Sequence, residues 1–234
     1  MKITMLFLLL FVTTFAASNK DIEKILTKYS KTQGLDAVQG LKDFKISGVD
    51  IGEKDELAFN YYFLKPNFHR FDIKSKKINL KMTWDGGKEG YLVNGTNPPQ
   101  RLSDNEKLIM KIFSELIYSP IYEYQKNNYK FSLEGIKEQL GKKCFRILKT
   151  EKSGVVTDLY IDSSKYELLN SIKVFDQFEE ALYSNVVYKD YAKFGDIKVP
   201  KSLVLGINDV QFKYRIDSVM YNIGLIPDDF RKPF

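Results

Sequence analysis

Apolar and polar residues along this chain keep two different periods, and the change between them divides it into elements. Ile22, Ile25, Leu26 and Tyr29 fall at helical spacing, with Lys and Glu between them. This predicts an amphipathic helix that stops at Gly34. Residues 35–41 add a short second turn. From Phe44 onward the period is two. Ile78, Leu80, Met82 and Trp84 alternate with Asn79, Lys81, Thr83 and Asp85. Val210, Phe212, Tyr214 and Ile216 alternate with Gln211, Lys213, Arg215 and Asp217. Leu57, Phe59, Tyr61 and Phe63 keep the same beat, although their other face carries Tyr62 and Leu64. Such alternation sets one face of a strand on apolar material and the other in water.

Turn chemistry separates these runs: Asp85-Gly86-Gly87, Gly141-Lys142, Ser153-Gly154, Gly195-Asp196 and Asn208-Asp209. Spacers of this kind make hairpins. The expectation is about ten antiparallel strands in one large curved sheet. One helix interrupts it. Ser103-Asp104-Asn105-Glu106 has the form of a capping box. Behind it Leu108, Ile109, Ile112, Phe113 and Leu116 make an apolar stripe, and Lys107, Lys111, Ser114 and Glu115 are expected to face away. The stripe must be buried, so both helices should cover the concave side of the sheet. No repeat or low-complexity linker appears, which predicts one domain over residues 19–234. Pro200 falls inside the strand after the Gly195-Asp196 turn. A proline cannot donate to a ladder, so that strand should be an edge there, or bulged or bent, with the Pro200 nitrogen turned from any partner.

The first residues read as a targeting signal. Lys2 is followed by the apolar run Ile3 to Val12 and by Ala16-Ala17-Ser18. That run is too short to span a bilayer, which takes about 20 residues, and suits a cleaved secretory signal over residues 1–18. With 44% hydrophobic and 28% charged residues the full chain has the composition of a globular protein. Its net charge of +6 is scattered, which does not read as a nucleic-acid binder. The aromatic content, 17 Phe and 15 Tyr, is the more pointed feature, because aromatics bring large apolar area to strands and pockets.

Residues that carry chemistry are few. His69 is the only histidine and Cys144 the only cysteine. Any Ser-His-Asp, Cys-His or histidine-rich metal arrangement would need His69, and its strand setting supplies no partner. Cys144 reads as a small buried thiol in a strand. No phosphate loop, HExxH, CxxC or GxSxG occurs. Asp228-Asp229, after Pro227, reads as a turn cap. No cofactor, metal or catalytic residue is expected, and binding is favoured over catalysis.

The order of segments carries a resemblance. It runs from the signal through a helix ending in Gly34-Leu35-Asp36-Ala37, the Lys65-Pro66-Asn67 strand start and the mid-chain helix. It closes with Asp190-Tyr191, Gly195 to Pro200, and Ile223 to Phe230. Over essentially the whole mature chain this resembles the LolA-like family of periplasmic outer-membrane lipoprotein-sorting proteins. The resemblance implies a mainly β fold with helices (α+β), an open half-barrel sheet with a helical lid over an apolar cavity. It implies a soluble, monomeric periplasmic carrier for acylated lipoprotein cargo. Its partners would be an inner-membrane lipoprotein export complex and an outer-membrane acceptor. The cavity residues would be Phe59, Tyr61, Phe63, Ile78, Leu80, Met82, Trp84, Phe212 and Tyr214, with Ile109, Ile112 and Phe113 from the lid. The family's basic residue before a proline, linked to cargo hand-over, corresponds to Lys65, with Arg70 as a second candidate. His69 stands where the family pattern has an aromatic. The same alternation would serve a filled core, so an envelope protein without a cavity stays open. So do a lipid- or peptide-binding sensor on this fold and a secreted hydrolase using its carboxylates.

Overall fold

The computed structural model describes residues 19–52, 56–87, 89–122, 129–175 and 182–231. The expected signal, residues 1–18, lies outside them. Helix α1 (Asn19–Gln33) buries the apolar positions its spacing announces, Ile22, Ile25, Leu26 and Tyr29. A 3-10 turn over Leu35–Gly40 follows. The first strands are β1 (Asp43–Ile51), β2 (Glu56–Leu64), β3 (Phe68–Lys74), β4 (Asn79–Trp84), β5 (Gly90–Asn94) and β6 (Gln100–Arg101). Helix α2 (Asp104–Tyr118) comes next. The remaining strands are β7 (Lys130–Gln139), β8 (Lys142–Thr150), β9 (Val156–Asp162), β10 (Leu168–Phe175), β11 (Leu182–Phe194), β12 (Ile197–Ile207) and β13 (Val210–Tyr221).

All 13 strands form one antiparallel sheet in the order β6-β5-β4-β3-β2-β1-β13-β12-β11-β10-β9-β8-β7. The sheet is not closed. Its edges, β6 and β7, are joined in the chain by α2. The expected count of about ten strands was low because the edge strands carry little apolar face: β6 is two exposed polar residues, and β7 offers the core only Phe131 and Leu133, half-buried. The expected hairpin turns all occur between consecutive strands. Leu140 and Gly141 both take positive φ, 52° and 73°, as a two-residue hairpin loop requires.

One pairing is not local. β1 lies against β13 from Phe44↔Tyr221 to Asp50↔Tyr214, joining the two meanders. The register shifts between Ser47 and Gly48, leaving Asp217 as an extra residue on β13. A Cβ on Gly48 would stand 2.0 Å from the Arg215 carbonyl oxygen and 3.0 Å from the Phe59 ring. At the seam's end the buried Asp43 carboxylate accepts the N–H groups of Ile223 (2.6 Å) and Gly224 (3.3 Å).

Both helices pack on one face of the sheet, α1 against β7 and β12, α2 against β2, β3 and β12. The capping box forms: Glu106 N–H donates to Ser103 Oγ (3.4 Å) and Ser103 N–H to the Glu106 carboxylate (2.7 Å). Gly34 (φ 71°) ends α1 against the β11–β12 turn, where a Cβ would meet the Asp196 carbonyl oxygen at 2.1 Å. Asp229 caps the C-terminal 3-10 turn through the Ile226 N–H (2.9 Å), and Cys144 is a buried strand thiol. One expectation needs correction and another is refined. Glu115 does not face away from the sheet; it turns inward and pairs with the buried Lys173. Pro200 lies on a strand with neighbours on both sides. It pairs with Tyr191 of β11, but the β13 ladder already stops at Ser202↔Arg215. The strand is thus free on that side at Pro200, the condition a strand proline needs.

The seam gives a direct test. Gly48→Ala should destabilise the protein by about 2–3 kcal/mol, since neither the Arg215 backbone nor the packed Phe59 ring can yield cheaply. Urea unfolding of the two proteins measures it. An unchanged midpoint would show that the bulge relaxes freely.

Candidate functional site

The inward positions of β2, β3, β4 and β13 converge under α2. Phe59, Tyr61 and Phe63 face it from β2, Met82 and Trp84 from β4, and Tyr214 from β13. Leu80 and Phe212 pack at the margin, half-buried, while Ile78 lies in the turn before β4 and outside the packed cluster. Ile109, Ile112 and Phe113 of α2 are buried opposite. Phe113 stands at the centre. Its ring lies 4.9 Å from Phe71, 5.0 Å from Tyr214, 5.3 Å from Phe59 and 5.4 Å from Tyr61. Three of these contacts are edge-to-face, the geometry that ring quadrupoles favour. The anticipated groove residues other than Ile78 thus lie together, and one phenylalanine of α2 fills the space between them.

Sequence reasoning left out Phe44, Phe71 and His69, which belong to the same face. The signal was present in the alternation His69-x-Phe71-x-Ile73. His69 is 1% exposed and stacks on Trp84 at 4.8 Å. The Tyr61 hydroxyl donates to His69 Nδ1, and His69 Nε2–H donates to Asn67 Oδ1, both at 2.8 Å. A neutral ring satisfies both bonds. Burial pulls its pKa down to about 3, against a weaker opposing contribution from the Met110 carbonyl. His69 is a packing residue that burial keeps neutral down to about pH 3.

The two basic candidates part company. Arg70 pairs with Asp72 and lies over the Tyr62 ring at 4.9 Å, on the face away from α2. Lys65 lies over the Tyr118 ring at 5.0 Å and borders a cavity of about 260 Å³. That cavity runs from the end of β2 past the second half of α2 to the end of β8. Its walls are aromatic (Phe63, Tyr118, Tyr129) and charged (Lys111, Glu115, Lys149, Glu151). It is the polar end of the same face. Lys149 and Lys173, each 3% exposed, occupy inward positions on β8 and β10, with Thr157 of β9 between them. Lys149 bonds Glu151 at 3.0 Å and sits 4.1 Å from the centre of the Tyr129 ring. Burial opposes ionisation of Glu115, but Lys173, Lys111 and Lys149 together outweigh it and hold the carboxyl below its usual range. The sequence carried a sign of this: Lys149 follows Phe145 and Ile147 at period two, a charge on an inward position.

Among the described residues no group of His, Cys, Asp and Glu could hold a metal ion, and no helix is long and apolar enough to cross a membrane. No family model matches the chain, and no curated protein matches its sequence. Solved structures do match in fold. A DUF1329 family protein from Desulfovibrio piger aligns over 88% of this chain and 97% of its own, with a TM-score of 0.57 at 14% identity. A LolA superfamily protein from Nitrosomonas europaea covers 90% and 97%, with a TM-score of 0.54 at 11% identity. A putative outer membrane lipoprotein-sorting protein domain from Vibrio parahaemolyticus covers 89% and 96%, with a TM-score of 0.53 at 13% identity. The chain shares the fold of these proteins, an open antiparallel sheet carrying few helices.

The burial of a neutral His69 sets a pH dependence. Unfolded, the imidazole takes up a proton below about pH 6.5. Folded, it resists until about pH 3. Between these values the unfolded state binds more protons, so stability falls as pH falls. The loss at pH 4.5 relative to pH 7 should be about 2–3 kcal/mol. Chemical denaturation of wild type and His69→Gln at both pH values tests this, with most of the extra loss absent from the variant. Equal losses would assign the acid sensitivity to other groups.

Proposed function

We propose that this protein is a periplasmic, non-enzymatic lipid-binding carrier that takes acyl chains onto the aromatic face beneath α2. Its cargo would be acylated lipoproteins, received from an inner-membrane export complex and passed to an outer-membrane acceptor. The observation that carries the reading is the single aromatic face of an unclosed sheet, covered through one ring, Phe113. An acyl chain in water costs about 0.8 kcal/mol per CH₂, so a lipoprotein in transit needs such a cover. A helix that fills the groove when empty competes with the chain and limits how tightly it is held, which favours release. The match in fold to a structure titled as a lipoprotein-sorting protein domain supports the same reading. On it, the sheet residues other than Ile78 bind the chain, Ile109, Ile112 and Phe113 are displaced with α2, and Lys65 is the candidate for hand-over. Arg70, on the far face, has no such place.

The close ring packing favours a second reading on the same fold, an envelope protein whose face is a permanent core. Phe113→Ala separates the two. It should lower stability by about 3–5 kcal/mol under either. Under the carrier reading it also frees groove volume, and binding of a fluorescent fatty acid should rise. No gain in binding by a folded variant favours the core. The decisive experiment is to purify the mature protein from periplasm and identify bound acylated cargo by mass spectrometry. An empty protein that also releases no lipoprotein from spheroplasts would overturn the carrier.

A further inference from the structure

The cavity between the end of β2 and the end of β8 differs from the rest of the helix-bearing face in its charge. Lys65, Lys111 and Lys149 border it, and Lys173 lies behind through its bond to Glu115. Against these four ammonium groups the described residues set two carboxylates, Glu115 and Glu151. Each carboxylate has a lysine of its own, so the excess of positive charge is carried by Lys65 and Lys111. Lys65 rests on a ring, and Lys111 has no carboxylate partner among the described residues. Behind them the Thr157 hydroxyl is fully buried beside Lys149 and Lys173 and bonds to nothing among the described residues. Lys65 is exposed and Lys111 half-buried, so both ammonium groups are open to an anion that enters the cavity, while Thr157 lies outside its walls.

We propose that this cavity binds the anionic end, a carboxylate or a phosphate, of a ligand whose apolar part runs under α2. The volume of about 260 Å³ suits a headgroup with a short length of chain rather than a whole lipid. Phe63 is shared between the two regions, as a wall of the cavity and as a member of the aromatic face. A chain could therefore pass from one to the other without crossing water. The field of the lysines is already evident in Glu115 and Glu151, which they keep ionised despite burial. An entering anion would meet the same field. The lipid half of this proposal rests on the lipid-binding reading above; the anion site itself does not.

The experiment compares a dansylated undecanoic acid with its methyl ester, and inorganic phosphate alone, on the mature chain and on Lys111→Gln and Lys65→Gln. Lys111 and Lys65 are chosen because neither holds a carboxylate partner in place. A charge-assisted contact predicts that the acid binds about tenfold more tightly than the ester, and that Lys111→Gln removes most of that difference while leaving the ester unchanged. Lys65→Gln should do the same to a smaller extent. If acid and ester bind alike and neither variant matters, the anion site is refuted while lipid binding stands. If neither lipid binds but millimolar phosphate raises the Tm of wild type and not of Lys111→Gln, the anion site stands with free phosphate as its source and lipid binding fails. If acid, ester and phosphate all leave the protein unchanged, the anion site is refuted outright.

Discussion

An unclosed sheet with one apolar face cannot stand alone in water, and the structure follows from how that face is covered. Thirteen strands expose more aromatic surface on one side than a single helix could normally hide. The chain solves this by running α2 between the sheet's two edges and lowering Phe113 into the rings of β2, β3 and β13. Helix α1 covers the remaining part against β12. The Tyr29 hydroxyl meets Ser119 Oγ at 2.9 Å, which couples the two covers. Cover and covered are held mainly by dispersion and ring contacts in this region, with Met110 and Ser114 of α2 adding polar contacts to His69 and Tyr61; the apolar part is packing that an acyl chain can imitate.

The face is divided along its length. Over β1 to β5 and β13 the inward row is aromatic and dry. Over β8 to β11 it becomes Lys149, Thr157, Lys173 and Ser184, one residue from each of four neighbouring strands. A buried row of this kind adds little stability, because the desolvation of each charge offsets most of its pairing. The row does define polarity: a ligand with an apolar and an anionic end has one orientation in which both ends are met.

Much of the architecture was legible in the pattern. Period two marked β2, β4 and β13; the Ser103–Glu106 box marked the start of α2; glycine turns marked the hairpins. What failed has physical causes. Edge strands announce themselves weakly: β6 is two polar residues, and the alternation of β7 stops after Phe131 and Leu133. Glu115 reads as a solvent residue on a helical wheel, and only a partner far away in the chain, Lys173, explains why it turns in. Whether alternating aromatics line a space or fill one depends on Phe113, whose place against β13 is fixed by tertiary packing and not by local spacing. Arg70 and Lys65 are five positions apart on paper, yet the strand's alternation sends Arg70 to the far face.

The seam between β1 and β13 also has a meaning in time. Every other neighbour in the sheet is made within one hairpin of its partner, while β1 waits for the last strand, whose final paired residue is Tyr221. A chain synthesised from its N-terminus presents β1 first and keeps one side of it bare until β13 has followed. The sheet is finished only once β13 has arrived. The bulge at Gly48 and the Asp43 carboxylate's bonds to Ile223 and Gly224 thus exist only once the C-terminal strand is in place.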